Sequence, residues 1–245
     1  MAFVDDVKLL VAQGEIQEAS TDFLSDVVDA VLGSPVAVGK IIKTLVQSPF
    51  FLKDQLFWAK IELFLNGVIL SENDRGKLSA KLTEDGSNSE NARRLVDCID
   101  RADTNRKIRY LINATRCLLT DFIDRTTYFR ICRAVTNTLD EDLLFLRNHI
   151  SEKDLIYNDS VQGLYTSGLM YWSAVGEDPR YSFTSIARLV DRYALSYDDV
   201  ERYPNPMSDL PLTQSPNIAL QIPTIPSEDL KKILDNPRAG IPPIM

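Results

Sequence analysis

Apolar residues recur at intervals of three and four through most of the first 150 positions, and that spacing commits this part of the chain to packed helices. In TDFLSDVVDAVLG, Phe23, Leu24, Val27, Val28, Val31 and Leu32 fall on one face, with Thr21 placed as N-cap and Gly33 as the stop. SPVAVGKIIKTLVQSP follows, with Ser34 as N-cap, Pro35 at the first helical position and Pro49 beyond the end. FFLKDQLFWAKIELFLNG distributes Phe51, Leu52, Leu56, Trp58, Ile61, Phe64 and Leu65 around most of its circumference, the pattern of a central core helix. SENDRGKLSAKL begins with Ser71 and Asp74 at capping-box spacing. A polar linker near 83–90 precedes further helices at 89–101, 104–119, 125–138 and 139–150.

Two stretches, IDRADTNRKIRYLINAT and IDRTTYFRICRAVTNT, begin 24 residues apart and share an IDR opening. Two copies built from such generic matches fall short of a repeat signature. Their aspartates do not follow calcium-loop spacing, and no glutamate stands at the twelfth loop position.

After His149 the character changes. LDEDLLFLRNHI and SEKDLIYNDSVQGLYTSG supply two helices, LMYW a strand after Gly168, GEDP a turn, RYSFT a return strand, and Thr184 an N-cap for SIARLVDRYAL. Over residues 139–195 this order resembles a winged-helix module. The resemblance implies a recognition helix at DLIYNDSVQGLYTSG and a two-stranded wing. The fold class is therefore mainly α. A multi-helix body spans 1–138, a winged-helix-like α+β module 139–202, and a Pro-rich extended arm 203–245. Nine of the twelve prolines lie between 204 and 243, too dense for a helix or a central strand. Ile218, Leu220, Ile222 and Ile225 make the arm apolar enough to bind a protein partner or a second copy of the chain.

Charge weighs against nucleic acid as the main partner. The net charge is −8 and the sequence pI about 4.8, so no general cationic field exists. Only residues 89–150 are locally basic, with 11 basic against 9 acidic groups. If DNA is read at all, the candidate contacts are Arg106, Lys107, Arg109, Asn158, Gln162 and Arg180. The recognition stretch, however, has two aspartates and no basic residue, and Glu177 and Asp178 offset Arg180. Elsewhere in the basic middle, Asp97, Asp100, Asp103, Asp121 and Asp124 interleave with arginines as on a solvated, ion-paired face.

Chemistry is sparse. His149 is the one histidine, at a helix end; no nucleophile elbow or phosphate-binding glycine loop occurs, and no catalytic site, cofactor or metal is expected. Cys98, Cys117 and Cys132 are odd in number and lie in apolar helical patterns, as reduced core thiols in a cytoplasm would. MAFVDDVKLL lacks the features of a signal peptide. Residues 34–66, where PVAVGKIIKTLV could form a Lys-flanked amphipathic helix, offer a membrane-active alternative, but burial under the next apolar helix is favoured and a membrane partner is not.

A second resemblance rests on Pro35, Val36, Val38, Gly39, Ile41 and Ile42, then Lys53, Leu56, Phe57, Lys60, Ile61, Phe64 and Leu65. These residues are similar to PVxVGxII and KxxLFxxKIxxFL segments in a set of uncharacterised bacterial and prophage proteins. The similarity implies a cytoplasmic protein of host–phage conflict and assigns no site residue. The sequence thus points to a non-enzymatic interaction protein. A winged-helix DNA-binding regulator stands second and a membrane-active effector third.

Overall fold

The computed structural model describes residues 3–16, 19, 22–47, 52–83, 90–174 and 179–197. The chain forms two compact units, Met1–Asp198 and Asp199–Met245. The second lies outside the described residues, and with it the arm residues Ile218, Leu220, Ile222 and Ile225; so does most of the polar linker.

Among the described residues the protein is mainly helical: α1 (Phe3–Ala12), α2 (Phe23–Val31), α3 (Pro35–Gln47), α4 (Leu52–Val68), α5 (Glu72–Thr83), α6 (Glu90–Arg101), α7 (Asn105–Leu119), α8 (Arg125–Asn137), α9 (Asp140–His149), α10 (Asp159–Thr166) and α11 (Ser185–Val190). One hairpin, β1 (Met170–Ala174) and β2 (Pro179–Phe183), interrupts the series, and a π-helical turn, Asp191–Leu195, extends α11.

Local chemistry explains most of the boundaries. Ser34 Oγ accepts from the Ala37 amide at 3.3 Å, as the Ser-Pro start of α3 suggests. Asp22 is the N-cap of α2 and accepts from the Ser25 amide at 3.2 Å; the expected cap, Thr21, lies outside the described residues. At α5 the Ser71 hydroxyl accepts from the Asp74 amide at 3.2 Å and donates to the Asp74 carboxylate at 2.9 Å. The same carboxylate reaches back to the Leu70 amide, so aspartate closes the capping box by binding one residue further upstream. The IDR stretches occupy unlike positions. Asp100 lies inside the last turn of α6, whereas Asp124 is the N-cap of α8 and accepts from the Thr127 amide at 2.6 Å. Helix α1, which the sequence pattern did not single out, is held by the Val4 amide donating to Asn66 on α4 at 3.0 Å and by contact with α3 and α4.

Helices α4 and α7 share the centre. Eleven of the fifteen α7 residues are buried, and α4, α5, α8 and the π-helical turn pack around it. Helix α4 buries Trp58, Ile61, Phe64, Leu65 and Val68, which recur at spacings of three and four along one side, whereas Leu56, expected in the core from the all-round apolar pattern, is 60% exposed. Gly67 lets the two helices meet: a Cβ there would run into the side chain of Ile112. Along α3, Ala37, Val38 and Ile41 are buried, and α1 and α2 pack on this helix. The apolar stripe considered for membrane contact therefore serves the core. No described helix is long and apolar enough to cross a membrane.

Toward the carboxy end, α10 packs on α9 and β1, while α11 packs on α8 and the π-helical turn on α7 and α9. Asn113 Nδ2 donates to the Ala194 carbonyl at 2.9 Å, tying the end of the unit to its central helix.

Replacing Gly67 by Ala is expected to destabilise the protein by about 1–3 kcal/mol, because overpacking outweighs the gain in helix propensity. Urea unfolding checks this, and an unchanged midpoint would mean that α4 and α7 do not meet so closely.

Candidate interaction surface

The hairpin is antiparallel, with Met170 opposite Phe183, Trp172 opposite Tyr181 and Ala174 opposite Pro179. Because side chains alternate along a strand, Met170, Trp172, Tyr181 and Phe183 share one face. Its inner end, Met170 and Phe183, is buried in the core. Toward the turn the same face leaves the core, and Trp172 is 57% exposed.

Other aromatic residues gather there. Just before α10, Leu155 pairs with Tyr181 from the far side of β2: its amide donates to the Tyr181 carbonyl at 2.9 Å and its carbonyl accepts from the Tyr181 amide at 3.0 Å. That short bridge brings Tyr157 to within 6.5 Å of Tyr181, ring centre to ring centre. From α10, Tyr165 meets the Tyr181 ring edge-on at 5.7 Å. Ile156 (67% exposed), Tyr157, Tyr165 and Tyr171 are all exposed. Five of the large apolar residues exposed among the described positions thus fall between 156 and 172, whereas scattered single ones would call for no explanation. Aromatic rings with hydroxyl or indole donors at their tips suit protein interfaces, where one part of the ring is covered and the other hydrogen-bonds.

The residues singled out for nucleic acid lie on three elements, and four have local partners. Lys107 is only 2% exposed and pairs with Asp103 at 2.9 Å. Arg106 pairs with Asp140 at 3.2 Å. Asn158 is the N-cap of α10, its side-chain oxygen accepting from the Val161 amide at 2.8 Å. Arg180 donates to the Asp154 carbonyl at 3.4 Å. Arg109 is half-buried, with its Nε lacking a hydrogen-bond partner. Gln162, an uncharged donor on α10, is exposed.

Gln162 also lines a polar cleft of about 750 Å³ between the end of α8, the start of α9 and α10, with Arg133, Thr138, Asp142, Asp159 and Gly163. Asp142 is buried beside Gly163, where a Cβ would overlap its carboxylate. Burial, and secondarily the neighbouring Glu141, raises the Asp142 carboxyl above its ordinary range, against a hydrogen bond from Ser160.

The remaining reactive side chains are enclosed or locally paired. All three cysteines are unbridged and buried. Burial, with Asp97 beside it, pushes the Cys98 thiol up to about 11 against the pull of Arg101, Arg94 and Arg133, and burial raises Cys132 further, so neither is a poised thiolate. His149 stacks on Phe145 and its Nδ1 lies 2.7 Å from Glu152. Among the described residues no three His, Cys, Asp or Glu side chains gather as metal ligands.

No protein-family model, curated protein or solved structure matches this chain.

Sequence reasoning passed over the aromatic cluster, although the signal was present: Tyr157, Tyr165, Tyr171, Trp172 and Tyr181 are five aromatic residues within 25 positions. What the sequence lacked was the Leu155 bridge that folds Tyr157 back onto the hairpin.

The native state binds the Asp142 proton more tightly than the unfolded chain does. Its contribution to stability is therefore full below the unfolded carboxyl value and is lost as pH rises through the raised native one. Asp142→Asn, which keeps an acceptor for Ser160, should gain stability relative to the wild type as pH rises from the ordinary carboxyl value of about 4 through the raised native one. Thermal unfolding across that range checks it; a constant difference would contradict it.

Proposed function

We propose that this chain is a non-enzymatic interaction protein whose carboxy-terminal α+β part docks a protein partner, with the Pro-rich arm of residues 203–245 adding to the contact. The observation that carries this reading is the cluster of the exposed Tyr157, Tyr165 and Trp172 around the half-buried Tyr181. Interface hot spots are enriched in Trp and Tyr, and a contiguous exposed patch of such residues on a small protein marks a surface that is covered in use. The order α9, Leu155 bridge, α10, β1, β2, α11 supports a winged-helix-like reading of this part. Its wing offers aromatic rather than cationic side chains.

A DNA-binding winged helix is the second reading, supported by the same element order and by Gln162 on the exposed face of α10. Phosphate neutralisation by Lys and Arg supplies most non-specific affinity for DNA. Lys107 is buried against Asp103, Arg106 is held by Asp140, and Arg180 is drawn to the Asp154 carbonyl, which favours the protein-docking reading.

Affinity purification of the tagged full chain from its native cells, with and without nuclease, separates the two. Recovery of one protein at fixed stoichiometry in both samples is expected. Tyr157→Ser together with Tyr165→Ser should weaken that recovery by about thirtyfold in affinity, the scale of a lost hot spot. Replacing Arg106, Arg109 and Arg180 by Ala should leave it unchanged. Recovery that collapses with nuclease, or that follows the arginines, would assign the surface to nucleic acid. If removing residues 204–245 altered neither recovery nor oligomeric state, the arm would have no part in binding.

A further inference from the structure

The two strands of the hairpin are built unequally. On β2, Pro179 and Arg180 stand at the start of the strand, and Tyr181 uses both its amide and its carbonyl on Leu155 at the outer side. On β1, MYWSA carries no charge and no proline, and among the described residues no strand pairs with its outer edge. Natural sheets protect open edges with Lys, Pro or inward-pointing charge, or by covering them. Here β2 has both kinds of protection and β1 has neither.

The register fixes what that edge presents. In an antiparallel pair, residues directly opposite either exchange both hydrogen bonds or direct both groups away from each other. Tyr181 turns its N–H and C=O toward Leu155, so the Trp172–Tyr181 pair is of the second kind. Trp172 therefore turns its own N–H and C=O outward, at the middle of the five-residue strand. By the same alternation Met170 and Ala174 turn their backbone groups to this side, but Met170 is buried, so the exposed edge centres on the donor and acceptor of Trp172, beside the exposed rings of Tyr171 and Trp172.

We propose that β1 is the edge through which two copies of this chain associate, antiparallel and about a two-fold axis at Trp172. The inference deepens the interaction reading above and rests on it by naming one partner and one contact. An antiparallel strand centred on a residue with both groups outward is complementary to itself: the Trp172 N–H of each copy meets the Trp172 C=O of the other. Such an isologous contact closes at two copies and leaves no further edge to propagate. Although a net charge of −8 makes two copies repel overall, β1 itself is uncharged, so pairing along it sets no carboxylates of the strand against each other. Pairing would also lay the two Trp172 side chains on the same face beside Tyr181, covering the outer part of the aromatic cluster.

Sedimentation of the full chain over a wide range of concentration tests this. The wild type is expected to pass from monomer to dimer, with exchange of the Trp172 amide slowing as dimer forms. Trp172→Lys, which places two like charges at the axis, should weaken association by about thirtyfold. Trp172→Pro should do the same, since it removes an outward N–H and leaves the inward hydrogen bonds of Tyr171 and Ser173 in place. Unchanged helix content by circular dichroism certifies the fold, and the lysine variant decides alone if the proline variant unfolds. A chain that stays monomeric throughout, a dimer that survives both substitutions, or one that instead dissociates when Ile218, Leu220 and Ile222 are changed to Asp would overturn the proposal. None of these results alters the nuclease comparison, so the partner reading stands or falls separately.

Discussion

The guanidinium of Arg116, 1% exposed, donates from Nε at 3.0 Å and Nη2 at 2.6 Å to the carbonyl of Gly67. Placing such a charge in the interior is costly unless its donors are matched. Gly67 lies in the last turn of α4, where carbonyls have no partner within the helix and the helix dipole favours a cation. One contact therefore serves two needs, and it fixes α4 against α7 at the level where Gly67 also meets Ile112. From α7 the order spreads outward. Thr115 reaches the buried Tyr128 hydroxyl of α8 at 3.0 Å, and Asn113 reaches the Ala194 carbonyl. The hairpin is thus carried on a core whose central helix is held by a buried cation.

That rigidity gives the exposed aromatic cluster its meaning. Met170 and Phe183 root the hairpin in apolar packing, while one pair further along the same face Tyr181 is half-buried and Trp172 is exposed. A strand that continues past its supporting helix presents side chains in fixed positions without covering them, which lowers the entropy cost of binding. The cations of α7 are turned to the protein's own use, in part because Asp103 and Asp140 lie where Lys107 and Arg106 can reach them.

Helices and caps were legible in the sequence wherever a short-range rule governs them. Ser34 before Pro35, Gly33 at a φ of 87°, and Thr184 before α11 are decided by residues within one turn. At α2 the cap is Asp22, the immediate neighbour of the expected Thr21, because aspartate and threonine are both good caps and the pattern alone does not choose between adjacent ones. Helix α1 escaped notice although Val4, Val7, Leu10 and Val11 recur at helical spacing; only its docking through Asn66 and onto α3 and α4 is non-local. The surface was legible only in part for the same reason. The hairpin followed from alternation and turn residues, and the scarcity of cations on it from simple counting. The joining of Tyr157 to Tyr165 and Tyr181 depends on the Leu155 bridge across 26 positions, which no local pattern encodes. Charge counting also overstated the basic middle, since a lysine such as Lys107 can be as enclosed as a leucine.

The most direct test of the central claim, that the aromatic hairpin face is where this protein is bound, is oxidative footprinting of its two tryptophans in the free chain and in the complex isolated from native cells. Trp58 is 6% exposed and serves as the internal reference. The account predicts that Trp172 is oxidised readily in the dilute free chain and strongly protected in the complex, while Trp58 is little labelled in either. Equal oxidation of Trp172 in both states would contradict it.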